Sequence, residues 1–181
     1  KVPLHDLGQG LINPICLLHM YQQFFKTRLM HIALYQPDIP PNTGTIIRMA
    51  ACLDVHIHII EPCGFPFGEK SFRRAGMDYI DQSKITRHQS WEDFLKIMGS
   101  HRIALLTTKA AEPYTEFEFK ENDVLLLGRE SAGVPDDVHA RADARLLIPM
   151  TPETRSLNIA VSASMVLGEA LRQTNQFPKA D

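Results

Sequence analysis

Residues 125–135 read LLLGRESAGVP. The three leucines are typical of a buried strand, and the glycines that follow, Gly128 and Gly133, are typical of a turn. Arg129 and Glu130 place a charged pair between the two glycines. Because Gly128 has no side chain, it would let the flat ring of a ligand approach the backbone, and Gly133 permits a turn with positive φ. A buried strand that ends in this way predicts the rim of a pocket.

Strand-like and helix-like segments alternate along the chain on both sides of this stretch. Hydrophobic patterning predicts strands at residues 31–36, 55–62, 84–88, 102–108, 123–128 and 144–149, and helices at 43–53, 69–76, 90–100, just after Pro135, and from about Ser156 to Gln173. The proline-rich residues 37–42 are predicted to be a loop, with Asn42 or Thr43 as the N-cap of the helix that follows. Ser90 is predicted to cap the helix at 90–100. The alternation predicts an α/β fold with a mostly parallel sheet flanked by helices.

Ligands of parallel sheets bind beyond the carboxyl ends of the strands. This rule places the pocket among three loops, which follow the strand-like sequences LLTT, LLLG and LLIP. We therefore expect the segments at the ends of these strands to carry the function.

The composition is that of a water-soluble globular protein. Of the 181 residues, 44% are hydrophobic and 22% are charged, and the formal net charge is −2. Three cysteines without a C-x-x-C pair favour a reducing, cytoplasmic location, and no apolar run reaches the roughly 20 residues of a membrane span. An anionic partner would therefore need a local basic patch.

Several common catalytic motifs are missing from the sequence. No strand is followed by G-x-G-x-x-G or by G-x-x-x-x-G-K-[ST], and Ser131 lies one position out of register for a G-x-S-x-G nucleophile. His56 and His58 alternate on a predicted strand, with no third metal ligand near them in sequence. The sequence thus gives no reason to expect a nucleotide-binding fingerprint, a serine hydrolase or a metal site.

Residues 1–29 differ in character from the rest, and we expect them to be a leader outside the fold. Met30 is then the expected start of a single domain over residues 30–181. A native N-terminal extension is the alternative interpretation.

Two further segments carry unusual polar residues. Residues 42–48 read NTGTIIR, in which Gly44 would allow a tight turn at a helix start and Arg48 would lie about a turn and a half further on. Residues 148–171 read IPMTPETRSLNIAVSASMVLGEAL, with Ser156 and Asn158 near the predicted helix start and small residues four apart at Ala160, Ser164 and Gly168. Such small residues favour either core packing or a close helix–helix interface.

Taken in order, these three segments resemble the three motifs of the SPOUT (trefoil-knotted) RNA methyltransferases. The resemblance covers Met30 to about Gln173. Within that superfamily, the short length and the sequences ALYQPDIPPNTGTIIRMAA, HIIEPCGFPF and RRAGMDY are most similar to the small single-domain enzymes that methylate the ribose 2'-oxygen at the tRNA wobble position. One departure is Arg129, which stands where a proline is expected in that family.

The resemblance implies a deep C-terminal trefoil knot, a homodimer, and S-adenosylmethionine as cofactor with S-adenosylhomocysteine as product and no metal. It implies cofactor contacts at Leu106, Gly128, Glu130, Ile148, Ser156 and Leu157. It implies that Arg48 serves in the catalytic centre, either by steering an RNA phosphate or by also taking the hydroxyl proton. We favour the phosphate clamp because arginine is a poor base. Asn42, Glu130, Ser156 and Asn158 are then implied to orient the reacting hydroxyl or the loops. Positive charge for tRNA comes from Lys70, Arg73, Arg74, Lys109, Arg129 and Arg155.

The expected reaction is 2'-O-methylation of a tRNA ribose, at a wobble cytidine or modified uridine. Two alternatives remain open at this point. One is an enzyme of the same fold that acts on another tRNA or rRNA ribose, and the other is a non-catalytic RNA-binding module that retains the cofactor pocket.

Overall fold

The computed structural model describes residues 30–66, 84–110 and 112–179. The expected leader, residues 1–29, lies outside these ranges, as does the predicted basic helix that carries Lys70, Arg73 and Arg74. All structural statements below concern the described residues.

A seven-stranded sheet forms the centre of the described structure. Its strands are β1 (His31–Tyr35), β2 (His56–Ile60), β3 (Ile85–His88), β4 (Ile103–Leu106), β5 (Glu112–Pro113), β6 (Val124–Leu127) and β7 (Ala144–Leu147). They lie in the order β3-β2-β1-β6-β4-β7-β5, and every pairing between them is parallel. The predicted α/β class is confirmed, and the predicted trefoil knot stays a prediction. Strand β5 was not predicted, because its two residues are too few to show a pattern.

Helices cover both faces of this sheet. They are α1 (Pro40–Cys52), α2 (Trp91–Met98), α3 (Asp136–Arg141) and α4 (Ile159–Thr174). Apolar residues of α1 and α4 form one core with the sheet, and those of α2 and α3 form a second core on the opposite face. Strand β6 lies between these layers and all four of its residues are buried, which explains its unbroken leucine pattern.

The register of three neighbouring strands brings the predicted pocket loops to one edge. Leu106 at the end of β4 pairs with Leu127 of β6 on one side and with Leu146 of β7 on the other. The carboxyl ends of β4, β6 and β7 therefore lie side by side. Gly128 and Ile148 come just after the last residues of β6 and β7, so they lie at the same edge as Leu106.

The start of α1 differs from the prediction. The helix begins at Pro40 rather than at residue 43, and Ile39 is its N-cap, so neither Asn42 nor Thr43 caps it. Proline fits the first turn because the N–H groups there have no partner within the helix. Gly44 is consequently buried inside the helix and does not form a turn at its start.

The start of α4 also differs, whereas the cap of α2 is confirmed. The last helix begins at Ile159, three residues after the predicted start at Ser156. Asn158 is the N-cap, and its Oδ1 accepts hydrogen bonds from the N–H groups of Ala160 (2.9 Å) and Val161 (3.4 Å). In α2 the Ser90 side chain accepts from the N–H of Asp93 (3.2 Å), as predicted.

The fold also assembles five histidines, which the sequence analysis treated only as a pair. They are His31, His56, His58, His88 and His101. His58 lies at the centre: its Nδ1 is 2.9 Å from His88 Nε2, and its Nε2 is 3.2 Å from His31 Nδ1. The parallel register of β1 with β2 and of β2 with β3 brings these rings together beneath α2, where Phe94 contacts His58 and His88 edge-on.

The histidine cluster predicts loss of stability in mild acid. Burial, followed by neighbouring histidines, lowers the pKa of His31 to about 3 and holds the pKa of His58 well below 6.5. Below pH 6.5 the unfolded chain binds protons that the folded chain excludes, so the free energy of unfolding falls as pH falls. Each such histidine contributes a slope of about 1.4 kcal/mol per pH unit between pH 6.5 and its folded pKa.

Urea unfolding between pH 7.5 and pH 5 measures this slope. We expect a His58→Leu variant to show a shallower dependence, and a Val166→Ala variant, which alters a buried residue that does not titrate, to retain the wild-type dependence. A wild-type stability that is flat over this range would contradict a neutral buried cluster.

Candidate active site

A tight loop follows β6 at the shared strand edge. Arg129 and Gly133 exchange two backbone hydrogen bonds, at 2.9 and 2.8 Å, and Gly133 has the expected positive φ of 69°. A Cβ placed at Gly128 would come within 2.6 Å of the Gly133 carbonyl carbon. The missing side chain of Gly128 therefore makes room for the chain's own backbone, and the approach of a ligand ring to Gly128 stays a prediction.

A continuous network of hydrogen bonds joins all three sequence motifs. Glu130, in the loop after β6, accepts from the Asn42 side-chain amide (3.2 Å from Nδ2 to Oε1). Asn42, in the first turn of α1, accepts in turn from the Asn158 amide (2.9 Å from Nδ2 to Oδ1). Three predicted site residues from distant parts of the chain thus meet at the carboxyl edge of the sheet.

Asp38 is part of this site although the sequence analysis did not propose it. Its carboxylate accepts from the backbone N–H of Glu130 (3.2 Å) and from the Ser131 hydroxyl, and its own N–H donates to Glu130 Oε2 (3.3 Å). The available signal was an acidic residue soon after a buried strand, at the edge where ligands bind. The nearby prolines indicated only that this segment is a loop.

The electrostatics of the network centre on Glu130. Burial raises the pKa of its carboxyl group, and the hydrogen bond to the neighbouring Asp38 carboxylate raises it further. The pKa of Asp38 is lowered, mainly by that same hydrogen bond from Glu130. The raised pKa favours the protonated form of this half-buried carboxyl group, in which it can donate as well as accept a hydrogen bond.

The other predicted catalytic and cofactor residues differ in how exposed they are. Ile148 is buried and Leu106 is half-buried at the strand ends. Arg48 is exposed on α1, while Ser156 and Leu157 lie in the exposed segment before α4. Ser156 takes no part in the hydrogen bonds described above.

Basic side chains flank the same edge. Lys109, Arg129 and Arg155 are all exposed, and each lies in a loop that follows one of the three adjoining strands. Arg129 directly follows Gly128 in the loop with Glu130. The described part of the chain thus places positive charge on the solvent side of the polar network.

The edge has the chemical character that S-adenosylmethionine requires. Leu106, Ile148 and the partly buried Met150 supply apolar surface from two neighbouring loops, which suits an adenine ring. Main-chain groups at the ends of these parallel strands supply hydrogen-bonding partners. The residues present therefore fit this cofactor.

Within residues 30–66, 84–110 and 112–179, no group of three or more His, Cys, Asp or Glu side chains is arranged to hold a metal ion. The helices of the same ranges lack either the length or the apolar character needed to cross a bilayer.

Comparisons with known proteins agree with this arrangement. Residues 29–168 match the family described as the SpoU rRNA Methylase family. A protein of Beijerinckia indica subsp. indica named tRNA (cytidine(34)-2'-O)-methyltransferase is 58% identical over 150 residues, which are 82% of this chain and 94% of the relative.

Two solved structures show the same fold. One, described as "Structural insights into the 2-OH methylation of C/U34 on tRNA", is 38% identical, has a TM-score of 0.76, and covers 81% of this chain and 96% of its own. The other, an AdoMet-bound rRNA methyltransferase from Sinorhizobium meliloti, is 29% identical, has a TM-score of 0.72, and covers 80% of this chain and 56% of its own. Since the family match spans well over half of the chain, the protein belongs to the SpoU rRNA methylase family.

Proposed function

We propose that the protein transfers a methyl group from S-adenosylmethionine to the ribose 2'-oxygen of nucleotide 34 of tRNA, a cytidine or modified uridine. The observation that carries the proposal is the meeting of Asn42, Glu130 and Asn158, which lie in the segments after β1, β6 and β7. The similarity to proteins named for methylation at this nucleotide supports the choice of substrate.

The proposed cofactor site is the edge formed by Leu106, Gly128 and Ile148. Leu157 and Glu130 are proposed to complete the cofactor contacts. When bound, S-adenosylmethionine supplies a methyl group already activated on a sulfonium sulfur and becomes S-adenosylhomocysteine. The protein's own task is then to deliver a ribose hydroxyl in line with that methyl group.

In this proposal the exposed Arg48 binds an RNA phosphate and fixes the position of the ribose. An arginine suits this role because its guanidinium forms paired hydrogen bonds to phosphate and stays charged. The same property makes it a poor base. We therefore assign the 2'-hydroxyl proton to solvent water as the new oxygen–carbon bond forms and the sulfur–carbon bond breaks.

The polar network orients the reacting hydroxyl. The amides of Asn42 and Asn158 and the carboxyl group of Glu130 form one connected set, so a hydroxyl bound to one of them is held relative to the others. Ser156, two residues before Asn158, is proposed to contact the cofactor and the ribose from the loop before α4. Lys109, Arg129 and Arg155, with Lys70, Arg73 and Arg74 from outside the described ranges, are proposed to bind the tRNA backbone.

A homodimer is part of the same proposal, supported by an apolar surface on α4. Leu157, Val161 and Met165 are 40%, 49% and 39% exposed, and they follow one another at four-residue intervals along one side of the chain. Gly168 lies further along the same side, and a Cβ placed there would meet no atom within 4 Å. Exposed apolar side chains at helical spacing beside small residues are typical of a helix–helix interface.

Charge on this surface should separate the two subunits. We expect a Val161→Asp, Met165→Asp double variant to sediment as a monomer, because two buried carboxylates per subunit would be desolvated without partners. A matched Lys96→Asp, Glu116→Asp double variant changes two exposed residues outside α4 and should leave the oligomeric state unchanged. A wild-type protein that is monomeric at all concentrations would contradict the dimer.

A cytoplasmic location completes the proposal. The substrate is tRNA, and the described cysteines, Cys52 and Cys63, are free thiols, as in proteins of a reducing compartment.

The direct test of the proposed function is methyl transfer to tRNA that lacks the modification. Purified protein, S-adenosylmethionine and unmodified tRNA are incubated, and the product is digested and mapped by mass spectrometry. We expect one added methyl group on the ribose of nucleotide 34. Methylation of rRNA or of another tRNA nucleotide would support the methyl-transfer activity but refute nucleotide 34 of tRNA as the substrate. Cofactor binding without transfer to any RNA would refute the proposed enzymatic activity.

A further inference from the structure

Asp38 is the one carboxylate of the site that the proposed reaction has not yet used. It lies in the loop between β1 and α1, three residues after the end of β1. The backbone N–H groups of Asp38 and Glu130 each bond to the other residue's carboxylate, at 3.3 and 3.2 Å. This reciprocal pair joins the loop after β1 to the loop after β6 across the adjacent strands.

The Asp38 carboxylate fixes the loop after β6 at a second point. Its other oxygen accepts from the Ser131 hydroxyl, so it holds two consecutive residues of that loop. Glu130 Oε2 is thereby held toward Asp38, and Glu130 Oε1 is left to accept from Asn42. Asp38 therefore sets which way the Glu130 carboxyl group faces.

A third loop holds Asp38 itself in place. The N–H of Gly64, in the loop after β2, donates to the Pro37 carbonyl (2.9 Å). A Cβ at Gly64 would lie 2.7 Å from the Asp38 Cβ and 2.9 Å from its Cα. Only a residue without a side chain fits there, so the backbone of the third loop packs directly against Asp38.

The two carboxyl groups also interact electrically. Burial raises the pKa of Glu130, its contact with the Asp38 carboxylate raises it further, and the same contact lowers the pKa of Asp38. When the pair holds one proton, these opposite directions favour that proton on Glu130. Two groups coupled in this way titrate as a pair.

We propose that Asp38 is a positioning residue for methyl transfer, which acts by holding the Glu130 carboxyl group against Asn42 in the reacting arrangement. This inference rests on the proposed function and adds to it a residue that makes no proposed contact with cofactor or ribose. The effect should therefore appear in kcat, with the affinity for S-adenosylhomocysteine unchanged.

The test compares Asp38→Asn, Asp38→Glu and the control Asp54→Asn, which alters an exposed aspartate paired with Lys84 before β2. We expect Asp38→Asn to lower kcat about tenfold to a hundredfold, as small misplacements in active sites do, with KM for tRNA and the Kd for S-adenosylhomocysteine within about twofold of wild type. Asp38→Glu should restore part of the rate, and Asp54→Asn should match wild type.

Two readouts distinguish positioning from a merely structural role. Removing the Asp38 charge should move the acidic inflection of kcat to lower pH, because a neighbouring negative charge raises the pKa of Glu130. In addition, Asp38→Asn should lower kcat only slightly when Glu130→Gln is already present, since the two residues act as one unit. An unshifted pH profile with fully additive losses would overturn the proposal.

The outcome also separates this inference from the proposed function. Normal kcat in Asp38→Asn, with an active wild type, overturns the inference alone. If wild type transfers no methyl group to tRNA, the proposed function fails, and the Glu130 carboxyl pKa is measured by NMR instead. An equal Glu130 pKa in wild type and Asp38→Asn would then overturn the inference as well.

Discussion

Replacing Arg48 with alanine is expected to reduce methyl transfer about a hundredfold to ten-thousandfold, the range observed when a group that aligns reactants is lost. Arg48 is exposed on α1, six residues beyond Asn42, and its proposed partner is an RNA phosphate. Calorimetry with S-adenosylhomocysteine should give the wild-type Kd, since the cofactor edge lies on other elements. Single-turnover kinetics with tRNA measure the loss.

Two companion variants sharpen this result. Arg48→Lys keeps the positive charge but loses the planar guanidinium with its paired N–H donors, so the variant should retain an intermediate rate of methyl transfer. Arg172→Ala removes an exposed arginine that pairs with Glu169 near the end of α4, and it should remain fully active. Turnover retained by Arg48→Ala would refute the phosphate clamp.

Replacing Gly128 with alanine is expected to have the second large effect, this time on cofactor binding. The new Cβ would meet the Gly133 carbonyl carbon at 2.6 Å, a distance that forces the loop over residues 129–133 to move. We expect a stability loss of about 1–3 kcal/mol, typical of overpacking. Because Glu130 lies in that loop, the Kd for S-adenosylhomocysteine should rise at least tenfold, or about 1.4 kcal/mol.

Gly133→Ala is the matched control for this loop. Its Cβ would meet nothing within 4 Å, but its φ of 69° is unfavourable for alanine, at a cost of roughly 1–2 kcal/mol. The two variants should therefore lose similar stability, measured by urea unfolding. If they also lose cofactor affinity equally, the steric role assigned to Gly128 is wrong.

Much of the fold was predictable because parallel strands carry strong local signals. The buried runs of β1, β4 and β6 are continuous and apolar, and proline or glycine marks where several strands end. The helix boundaries were less predictable, because the features that set them are not local. Asn158 was predicted near a helix start, but its role as N-cap became clear only once Ser156 was seen to lie in the preceding loop.

Three residues of the hydrogen-bonded network were predictable from the sequence, but the bonds that connect them were not. Asn42, Glu130 and Asn158 were expected to act together, yet the bonds among them depend on strand order, which periodicity does not encode. Asp38 was missed for the same reason, since its partner lies 92 residues away in sequence. The histidine cluster shows the same limit: His31, His58 and His88 are isolated in sequence and become neighbours only through the register of three strands.

A crystal structure of the protein with S-adenosylhomocysteine bound tests the central claim most directly. The account predicts that the ligand contacts main-chain atoms of Leu106, Gly128 and Ile148, with its sulfur facing the side where Glu130 and Asn158 meet Asn42. A ligand bound at another edge of the sheet, or one held without contact to these three strand ends, would contradict it.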